Sequence, residues 1–477
     1  MKKLSYSDRP DLNTANWLIL QYTKMGVFFN MDEIERRVAK LTSEMSQLEN
    51  EIFSLSRVQF NINSTSQYTD VLIERFGVPE KALTRKGKLT VNQEVLKEVD
   101  SVYDVPIIKL VMKYKTLGKQ LSSLNGDKGI IKFLIPTDLK SASGDRLGGV
   151  VPVISLAETG RYQFSNPSIG NLTPYIMELI TAPAGYKIIS LDVRQQEPTI
   201  FLNGLLNCDH FKKLFKENLD DKYIALTKFC LAQEEVLTKI HQFTDNTVEI
   251  IPTDWVYPFL RKDFQTGAIV YYKKRPLIDY NYLNKYVMQH VVNTIVPTVE
   301  DRNGYKTALL SGSYGAYETT IKKKAGEKIG ASFYRMLNNL PELVEYKDRA
   351  SQAIKNNINH VYTLFGTEIK ISNYDRDGNY RDFNAMLRLF LNYPTQGTGA
   401  DMLKFAIVDF YNWTKSKGYT PQQARIVTSR HDELLLMVTD EIAERDLEEI
   451  KGLMELQVED WAPILVKALV GDNYIKD

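Results

Sequence analysis

Residues 425–441 read RIVTSRHDELLLMVTDE, a stretch in which three polar residues interrupt an otherwise apolar run. The aliphatic segments on either side predict a strand, a turn at His431, Asp432 and Glu433, and a second strand. A solvated turn can hold two adjacent carboxylates. A metal site can require them, because hard divalent cations prefer oxygen ligands. The tripeptide by itself leaves both interpretations open.

A second acidic strand end lies far upstream in the chain. The run GYKIISLDV, residues 185–193, predicts a strand that ends near Asp192, and Glu197 follows five residues later. Two neighbouring strands can bring carboxylates from distant parts of a chain to one point. Such a pair is the arrangement used for two-metal phosphoryl or nucleotidyl transfer. Taken singly, each aspartate is more simply interpreted as a solvated turn residue.

A cationic stripe is predicted in DRNGYKTALLSGSYGAYE, which begins at residue 301. Arg302, Lys306, Leu310 and Tyr314 are spaced four apart, so a helix would align them along one side. Two cations followed by an apolar and an aromatic side chain suit a nucleoside triphosphate, with its phosphates at the cationic end. An ordinary amphipathic helix with exposed cations is the alternative.

Glycines in the same segment favour the functional interpretation. Gly304, Gly312 and Gly315 each cost a helix roughly 1 kcal/mol relative to alanine. We interpret them as room for the approach of a ligand or for a movement of the segment.

A third pattern occupies residues 388–407, RLFLNYPTQGTGADMLKFAI. Arg388, Asn392 and Gln396 again repeat every four residues, and the glycines of QGTG come before a regular amphipathic helix. Amide side chains on one face can reach the minor-groove acceptors that all base pairs share. A capped helix start with a buried amide is the alternative.

The bulk composition excludes several classes of protein. The chain has 477 residues, enough for two to four domains. Its net charge of +1 gives no indication of nucleic-acid binding. The two cysteines, Cys208 and Cys230, lack the spacing of a disulfide framework or a zinc site. No apolar run approaches the ~20 residues that span a bilayer, and the N-terminus lacks a signal-like apolar region. We expect no membrane partner and an intracellular location.

Together these segments resemble the DNA polymerases of family A. LDVRQQEP looks like the family's first motif, usually written DYSQIELR, and keeps Asp192, Gln195 and Glu197. RNGYKTALLSGSYG resembles the motif R-xxx-K-xxx-[FY]-xxx-YG, and RHDELLLMV resembles the motif with a His-Asp-Glu core. NYPTQGTGAD, TGRYQFSNPSIGNLTP, FNINSTSQYTDVLIERFGVP and the terminal VGDNYIKD are similar to further family segments. Their order agrees throughout, so the resemblance covers nearly the whole chain.

The resemblance implies an α+β right-hand polymerase fold, with a palm built on an antiparallel sheet, helical fingers and a helical thumb. The implied regions are an N-terminal segment leading into the palm at 1–30, the thumb at 31–145, the palm at 146–200, the fingers at 201–370 and the palm again at 371–477. Within the fingers we expect an insertion at about 232–295, because the first and second motifs are unusually far apart, and a motif helix at 302–317.

The resemblance also implies roles for individual residues. Asp192 and Asp432 would bind two Mg²⁺ ions, for which Mn²⁺ can substitute, with Glu433 as an auxiliary catalytic carboxylate and Lys306 placed to protonate pyrophosphate. The implied dNTP-binding residues are Arg302, Lys306, Leu310, Tyr314, Glu197, Gln195 and Tyr223. The implied primer–template contacts are Arg161, Asn171, Arg388, Asn392, Gln396, His431 and Gly315.

The implied activity is DNA-templated synthesis of DNA from dNTPs on a primer–template. An alternative is an enzyme like the single-subunit RNA polymerases. Glu197 argues against it, because a carboxylate at that position excludes a ribose 2′-hydroxyl. A non-catalytic DNA-binding replication accessory is a further alternative. Leu310 departs from the family, which has an aromatic residue there, and Tyr223 stands where the family usually has a histidine.

Thumb-like sequence begins near residue 20, which leaves no room upstream for a proofreading exonuclease. We therefore expect a polymerase domain without one, of the kind that a phage encodes. A separate exonuclease, a clamp or a helicase–primase would be the expected partners.

Overall fold

The computed structural model describes residues 1–85, 87–244, 257–272, 275–313 and 315–475. Its α-helices are α1 Leu12–Lys24, α2 Met31–Ser56, α3 Thr65–Phe76, α4 Gln93–Tyr103, α5 Pro106–Asn125, α6 Pro174–Met177, α7 Gln196–Pro198, α8 Asp209–Glu217, α9 Lys222–Thr244, α10 Tyr280–Tyr286, α11 Val299–Gly312, α12 Glu318–Ala325, α13 Glu327–Asn338, α14 Pro341–Lys355, α15 Phe383–Lys417 and α16 Asp440–Gly452. Short π-helices cover Thr199–Leu205 and Val287–Val291.

The strands are distributed along the whole chain. They are β1 Lys2–Leu4, β2 Val27–Asn30, β3 Thr84–Arg85, β4 Lys88–Leu89, β5 Ile135–Lys140, β6 Arg146–Val150, β7 Val153–Leu156, β8 Tyr162–Ser165, β9 Tyr186–Val193, β10 Tyr271–Tyr272, β11 Arg275–Pro276, β12 His360–Tyr362, β13 Glu368–Lys370, β14 Ala424–Arg430, β15 Glu433–Thr439, β16 Leu456–Val458 and β17 Val466–Gly471.

The central sheet has four antiparallel strands in the order β14-β15-β9-β17. This arrangement confirms the predicted strand, turn and strand around His431, and the predicted strand that ends near Asp192. Leu434 and Leu436 pack into one hydrophobic core with α1 and α15, whereas Leu435 and Met437 pack into a second core on the opposite face. Since successive side chains of a strand point to opposite faces, a sheet covered on both sides needs a continuous apolar run.

The region predicted as the thumb is built on two long helices, α2 and α5, that pack against each other. The apolar residues of 31–56 recur among charged residues at helical spacing and form α2, and Asn30 caps this helix by accepting a hydrogen bond from the backbone N–H of Glu33. The predicted boundary at 145/146 passes through the β5–β6 hairpin, because β6 pairs with both β5 and β2 in a three-stranded sheet.

The region predicted as the fingers is helical, and α9, α11 and α13 enclose its core. Phe229, Tyr305, Leu309 and Phe333 are fully buried there. The Tyr305 hydroxyl forms a hydrogen bond with Ser332 Oγ at 2.9 Å, which joins α11 to α13. The inner face of the cationic helix α11 is therefore packed against α13 and the core of this region.

A single helix, α15, spans 35 residues, Phe383–Lys417, with Pro394 inside it. The expectation that a helix starts after the glycines of QGTG is wrong. A Cβ at Gly397 would lie 2.4 Å from Ile369 Cδ1, and a Cβ at Gly399 would lie 2.6 Å from Gln196 Oε1. The glycines are needed because β13 and α7 approach the helix closely, and packing overrides their low helix propensity.

Among the residues that the structure describes, no helix combines the length and the apolar character required to cross a membrane.

Candidate active site

The turn between β14 and β15 brings two distant carboxylates together. Glu433 pairs with Arg430 across the hairpin and with Asp192 on β9, so His431 and Asp432 form the tip. His431 adopts a left-handed backbone conformation with φ of 55°, as a tight reversal requires. The backbone N–H of Val193 donates to the backbone oxygen of Asp432 at 3.3 Å. The turn is thus the feature that presents Asp432 beside the end of β9.

The electrostatic surroundings of Asp432 are those of an acidic centre. Burial, followed by the negative charge of Asp192, raises the pKa of Asp432 to about 7. Glu197 raises that pKa further, and Arg161 lowers it. Carboxylates that oppose each other's ionisation in this way are stabilised by a cation between them.

Glu433 differs from its neighbour in its surroundings. Its side chain is buried, and Ser190 Oγ donates to Oε1 at 2.5 Å. The Tyr474 hydroxyl, from the C-terminal segment, donates to Oε2 at 3.3 Å. These contacts fix the predicted auxiliary carboxylate inside the central sheet.

A second group of residues follows β9. Gln195 has φ of 52°, and its side chain joins this turn to the start of α9. Its Oε1 accepts from the backbone N–H of Lys222 at 2.9 Å, and its Nε2 donates to the backbone oxygen of Asp220 at 3.3 Å. The predicted nucleotide-binding amide of Gln195 is therefore engaged in joining two elements.

Glu197 lies one turn further along, where it forms an ion pair with a predicted primer–template residue. Arg161 Nη2 lies 3.4 Å from Glu197 Oε1, and both side chains are partly buried. The predicted steric-gate carboxylate is thus held in a defined orientation beside the acidic centre.

The cationic helix α11 starts earlier and ends earlier than the predicted range of 302–317. A capping box formed by Thr298 and Asp301 starts it, and it ends at Gly312. The ring of Tyr223 lies 5.2 Å from the Arg302 guanidinium and 5.4 Å from Lys306 Nζ. Both distances are in the range of cation–π contacts, so the ring of Tyr223 stabilises both cations.

Tyr223 also links this helix to the acidic centre. Burial is the main cause of its raised pKa, and the negative charge of Glu197 is the next. The positive charge of Arg302 lowers the pKa of Tyr223, and the negative charge of Asp432 raises it further. The prediction that Tyr223 lies beside the nucleotide-binding residues therefore agrees with its position between the cations and the carboxylates.

Two of the glycines in the cationic segment serve packing. A Cβ at Gly304 would lie 2.4 Å from Ile329 Cδ1, and one at Gly312 would lie 2.8 Å from Phe333 Cε1. The interpretation of these two as room for a ligand is wrong, because α13 fills the space. Gly315 has φ of 74°, a conformation that favours glycine, and Tyr314 lies outside the described residues.

Asp221 is a site residue that the sequence analysis missed. Its Oδ2 accepts from Arg302 Nε at 2.8 Å, while its Oδ1 accepts from the backbone N–H groups of Tyr223 at 3.0 Å and Ile224 at 3.2 Å. The carboxylate of Asp221 therefore caps the start of α9 and orients Arg302, the first cation of α11. The only signal in the sequence was an aspartate just before a helix, which is usual for a cap.

A groove beside the acidic centre collects most of the predicted primer–template residues. The cavity has a volume of about 430 Å³, and its lining includes Arg161, Asn171, Gln396 and His431. Arg430 also lines it, and its Nε donates to the backbone oxygen of Gly170 at 3.2 Å. These side chains come from four separate segments, which only the fold brings together.

The three other members of that predicted set, Arg388, Asn392 and Gly315, lie elsewhere. Arg388 lines a smaller cavity of about 160 Å³ together with Gly315 and Tyr317. The Oδ1 atom of Asn392 is buried without a hydrogen-bond partner in the part of the chain that the structure describes. Leu310 is half-buried on α11, in line with the two cations, as its spacing predicts.

The donor set at the acidic centre is small. Across the described ranges, no group of three or more His, Cys, Asp or Glu side chains is arranged to hold a metal ion. Two carboxylates alone suit a hard cation whose remaining ligands are water and phosphate oxygens. Asp192 and Asp432 fit that kind of site.

Comparison with known sequences identifies a family. The sequence model of DNA polymerase family A matches residues 31–242 and 286–476. The chain is 25% identical to DNA polymerase I from Pseudomonas aeruginosa over 446 residues, which is 91% of this chain and 40% of that protein. It is 23% identical to the thermostable DNA polymerase I from Thermus aquaticus, over 94% of this chain and 46% of the relative. The chain spans less than half of the length of these relatives.

Comparison with solved structures concerns the fold. The POL domain of Pol1 from M. smegmatis, solved in complex with DNA primer-template and dNTP, superposes with a TM-score of 0.68 at 15% identity. The match covers 97% of this chain and 69% of that chain. The predicted α+β right-hand fold of palm, fingers and thumb is confirmed. The unmatched residues 243–285 fall within the predicted insertion at 232–295, whose first residues belong to the continuous helix α9.

Proposed function

Because the chain belongs to DNA polymerase family A, we propose that it extends a DNA primer along a DNA template with dNTPs. The observation that carries this proposal is the meeting of Asp192 with the tip residue Asp432, while Tyr223 connects them to the cations of α11. Carboxylates on one side and cations on the other suit a substrate that carries a triphosphate.

Two divalent cations, Mg²⁺ with Mn²⁺ as a substitute, are part of the proposal. Asp192 and Asp432 are the residues that would hold them, since these carboxylates lie together and the charge of Asp192 raises the pKa of Asp432. Such ions, when bound, activate the primer 3′-hydroxyl and stabilise the charge of the departing pyrophosphate.

The protein's own groups complete the site. Arg302 and Lys306 neutralise the triphosphate, and Lys306 is the group placed to supply a proton to the pyrophosphate oxygen. The 3′-hydroxyl gives its proton to water, and its oxygen forms a bond to the α-phosphorus as the bond from that phosphorus to the bridging oxygen breaks and pyrophosphate leaves. Positioning and charge stabilisation supply most of the catalysis in reactions of this class.

The primer–template is proposed to bind in the groove that is lined by Arg161, Asn171, Gln396 and His431. Its amide and guanidinium donors suit minor-groove acceptors, which are present at every base pair and therefore carry little sequence information. A polymerase needs such contacts, because it must hold any sequence.

Primer extension tests the proposal directly. The purified chain is supplied with a primed DNA template, Mg²⁺ and either dNTPs or rNTPs. We expect extension with dNTPs and at least about a hundredfold preference over rNTPs. A preference for rNTPs would instead identify an RNA polymerase, and binding without extension by the unaltered chain would identify an accessory.

Variants test the proposed metal ligands. Asp192→Asn and Asp432→Asn should each lower the extension rate by about a thousandfold or more, because each removes a charge that the cations require. Duplex binding should persist in both. Asp209→Asn is the matched control, because Asp209 is exposed at the start of α8. Extension at the unaltered rate by either site variant contradicts the metal assignment.

The same proposal extends to partners and location. A chain of this kind would work in the cytoplasm of a bacterial or phage-infected cell, and a separate exonuclease, a clamp or a helicase–primase are the proposed partners. Co-purification of the tagged chain from its host, with sequencing of the bound proteins, is the measurement that identifies them.

A further inference from the structure

The described residues between the two family-matched ranges form an ordered hairpin on the fingers. Its base starts at the buried residue Phe259, whose ring centroid lies 5.3 Å from that of Tyr282 and 5.0 Å from that of Tyr286 on α10. The backbone N–H of Asp279 donates to the backbone oxygen of Phe259 at 2.7 Å. Leu260 belongs to the core of the fingers. The hairpin is therefore anchored in the fingers core.

The tip of the hairpin is held by its own hydrogen bonds. Asp263 Oδ1 accepts from the backbone N–H groups of Gln265 at 3.1 Å and Thr266 at 2.8 Å, and from Thr266 Oγ1 at 2.8 Å. Gly267, with φ of 69°, donates its N–H to the backbone oxygen of Asp263 at 2.9 Å. Lys262 pairs with Ile269 just below the tip. The turn therefore has a defined shape.

This turn presents an aromatic side chain to solvent. Phe264 is 102% exposed, the highest value among the large hydrophobic side chains of the described residues. Single exposed apolar residues are common and need no function. Phe264 differs from such residues because it lies at the tip of a turn whose backbone is held by hydrogen bonds, so the ring is presented to solvent from a defined backbone position.

Two exposed cations lie just before Phe264. They are Arg261 and Lys262, and the segment 257–278 contains by sequence three more cations and one acidic residue, Asp263, which the turn itself uses. The whole chain carries a net charge of only +1. The segment is therefore basic, and at its tip two cations adjoin an exposed aromatic side chain.

We propose that the hairpin tip is a binding site for single-stranded nucleic acid, in which a base stacks on Phe264 while Arg261 and Lys262 contact the adjoining phosphates. Aromatic rings beside cations form the usual platform for single strands, because every base has a face that can stack and every nucleotide has a charge.

The site is separate from the proposed reaction centre. Tyr223 lies at the start of α9, and α10, against which Phe259 packs, contacts α9 ten residues further along, where Gln233 Nε2 donates to Asn284 Oδ1 at 2.8 Å. Ten residues of helix correspond to about 15 Å along its axis. The inference goes beyond the proposed function, because binding of a single strand is measured without any nucleotide or primer.

Equilibrium binding of labelled oligodeoxythymidine to the full chain tests the site. Phe264→Ala should weaken binding about tenfold, and Phe264→Trp should retain it and show quenching of the tryptophan fluorescence by the bases. Phe264→Leu should resemble Phe264→Ala, since leucine is apolar but cannot stack. Val296→Ala is the control, because Val296 is also a large hydrophobic residue, is 90% exposed, and lies outside the segment 257–278. Equal affinity of the alanine and tryptophan variants would overturn the proposal.

Two further measurements identify the ligand. Arg261→Gln combined with Lys262→Gln should reduce the slope of log affinity against log salt by about 1.4, since each single-strand phosphate contact contributes about 0.7.

With primer–templates, Phe264→Ala should weaken binding when the 5′ overhang is long and leave it unchanged when the overhang is short, which assigns the bound strand to the template. Equal weakening for long and short overhangs would refute this assignment.

Sedimentation of the chain without DNA tests for a protein contact at the same site. A sedimentation coefficient that differs between Phe264→Ala and the unaltered chain would reveal such a contact and would also overturn the proposal.

Extension of a primer on a short template separates this inference from the proposed function. Phe264→Ala should extend it at the unaltered rate. A chain that shows no extension activity in any form but still loses single-strand binding on Phe264→Ala would refute the proposed polymerase activity and leave the binding site in place.

Discussion

Glu433 lies directly opposite Asp192 in the pairing of β15 with β9, yet its carboxylate oxygens are held by the hydroxyl groups of Ser190 and Tyr474. Asp432, the adjacent residue, stands one position outside the ladder at the tip of the turn. Two neighbouring carboxylates therefore have different surroundings, and we expect different consequences when each is replaced.

Replacement of Glu433 should act through positioning. Glu433→Gln should lower the extension rate about tenfold and lower the melting temperature, because an amide nitrogen at one carboxylate position cannot accept the existing hydrogen bond. Tyr474→Phe, which removes one donor, should change the rate less than about threefold. Single-turnover extension and thermal unfolding measure both effects. A loss as large as that of Asp432→Asn in a stably folded Glu433→Gln protein would make Glu433 a direct participant.

Asp221 should control nucleotide affinity. Asp221→Asn retains an oxygen that can cap α9 but loses the charge that orients Arg302. We expect the KM for dNTP to rise about tenfold, with kcat nearly unchanged, since a hydrogen bond between charged groups is worth about 1.5–3 kcal/mol. Asp220→Asn is the control, because Asp220 is the adjacent residue and its side chain is fully exposed. A lower KM would mean that Asp221 competes with the triphosphate for Arg302.

The ring of Tyr223 should matter more than its hydroxyl. Tyr223→Phe keeps the aromatic face beneath Arg302 and Lys306 and should leave the KM for dNTP within about twofold. Tyr223→Leu removes the cation–π contacts and should raise that KM about tenfold. Steady-state kinetics of single-nucleotide addition distinguishes the two. The idea fails if phenylalanine and leucine have the same effect.

Glu197 should determine the choice of sugar. Glu197→Ala removes the carboxylate that Arg161 holds beside the acidic centre. We expect the ratio of kcat/KM for dNTP over rNTP to fall about a hundredfold, because a ribose 2′-hydroxyl is no longer excluded. Glu217→Ala, on the exposed side of α8, serves as the control. An unchanged ratio would remove Glu197 from sugar selection.

Lys222 should make stability depend on pH. Its buried ammonium donates to Thr199 Oγ1 at 2.9 Å and to the backbone oxygen of Pro463 at 2.8 Å, and burial lowers its pKa from 10.5 to about 7. Between those two values the unfolded chain binds more protons than the folded chain, so the free energy of unfolding rises with pH across this window. Below pH 7 the full penalty of burying the charge is present.

Lys222→Met removes this linkage. The difference in unfolding free energy between the unaltered chain and the variant should shift by about 2 kcal/mol in favour of the unaltered chain from pH 7 to pH 9. Chemical denaturation at each pH measures it. A difference that is constant with pH would show that Lys222 keeps its ordinary pKa.

Some features of the chain follow from local sequence. The helix Met31–Ser56, the strand Tyr186–Val193 and the turn at His431 and Asp432 were predictable, because their apolar spacing and turn residues act over a few neighbours. The ordered motifs identified the family and predicted which aspartates would meet. The four-residue spacing also predicted the common side of Arg302, Lys306 and Leu310.

Other features depended on partners far away in the chain. Gly304 and Gly312 face Ile329 and Phe333, so their meaning was packing, which no local pattern could reveal. The QGTG glycines lie inside α15 for the same reason. The surroundings that distinguish Glu433 from Asp432 come in part from Tyr474, and the role of Asp221 depends on an arginine 81 residues later.

The sequence by itself therefore determined which residue types this protein has for its chemistry and the order in which they occur. The tertiary structure decided which carboxylate lies at the tip of the turn, which is fixed by hydroxyl groups, and which side chain orients Arg302 on α11. The physical reason is that ionisation, orientation and close packing depend on burial and on neighbours within a few ångströms, and the fold alone supplies those neighbours.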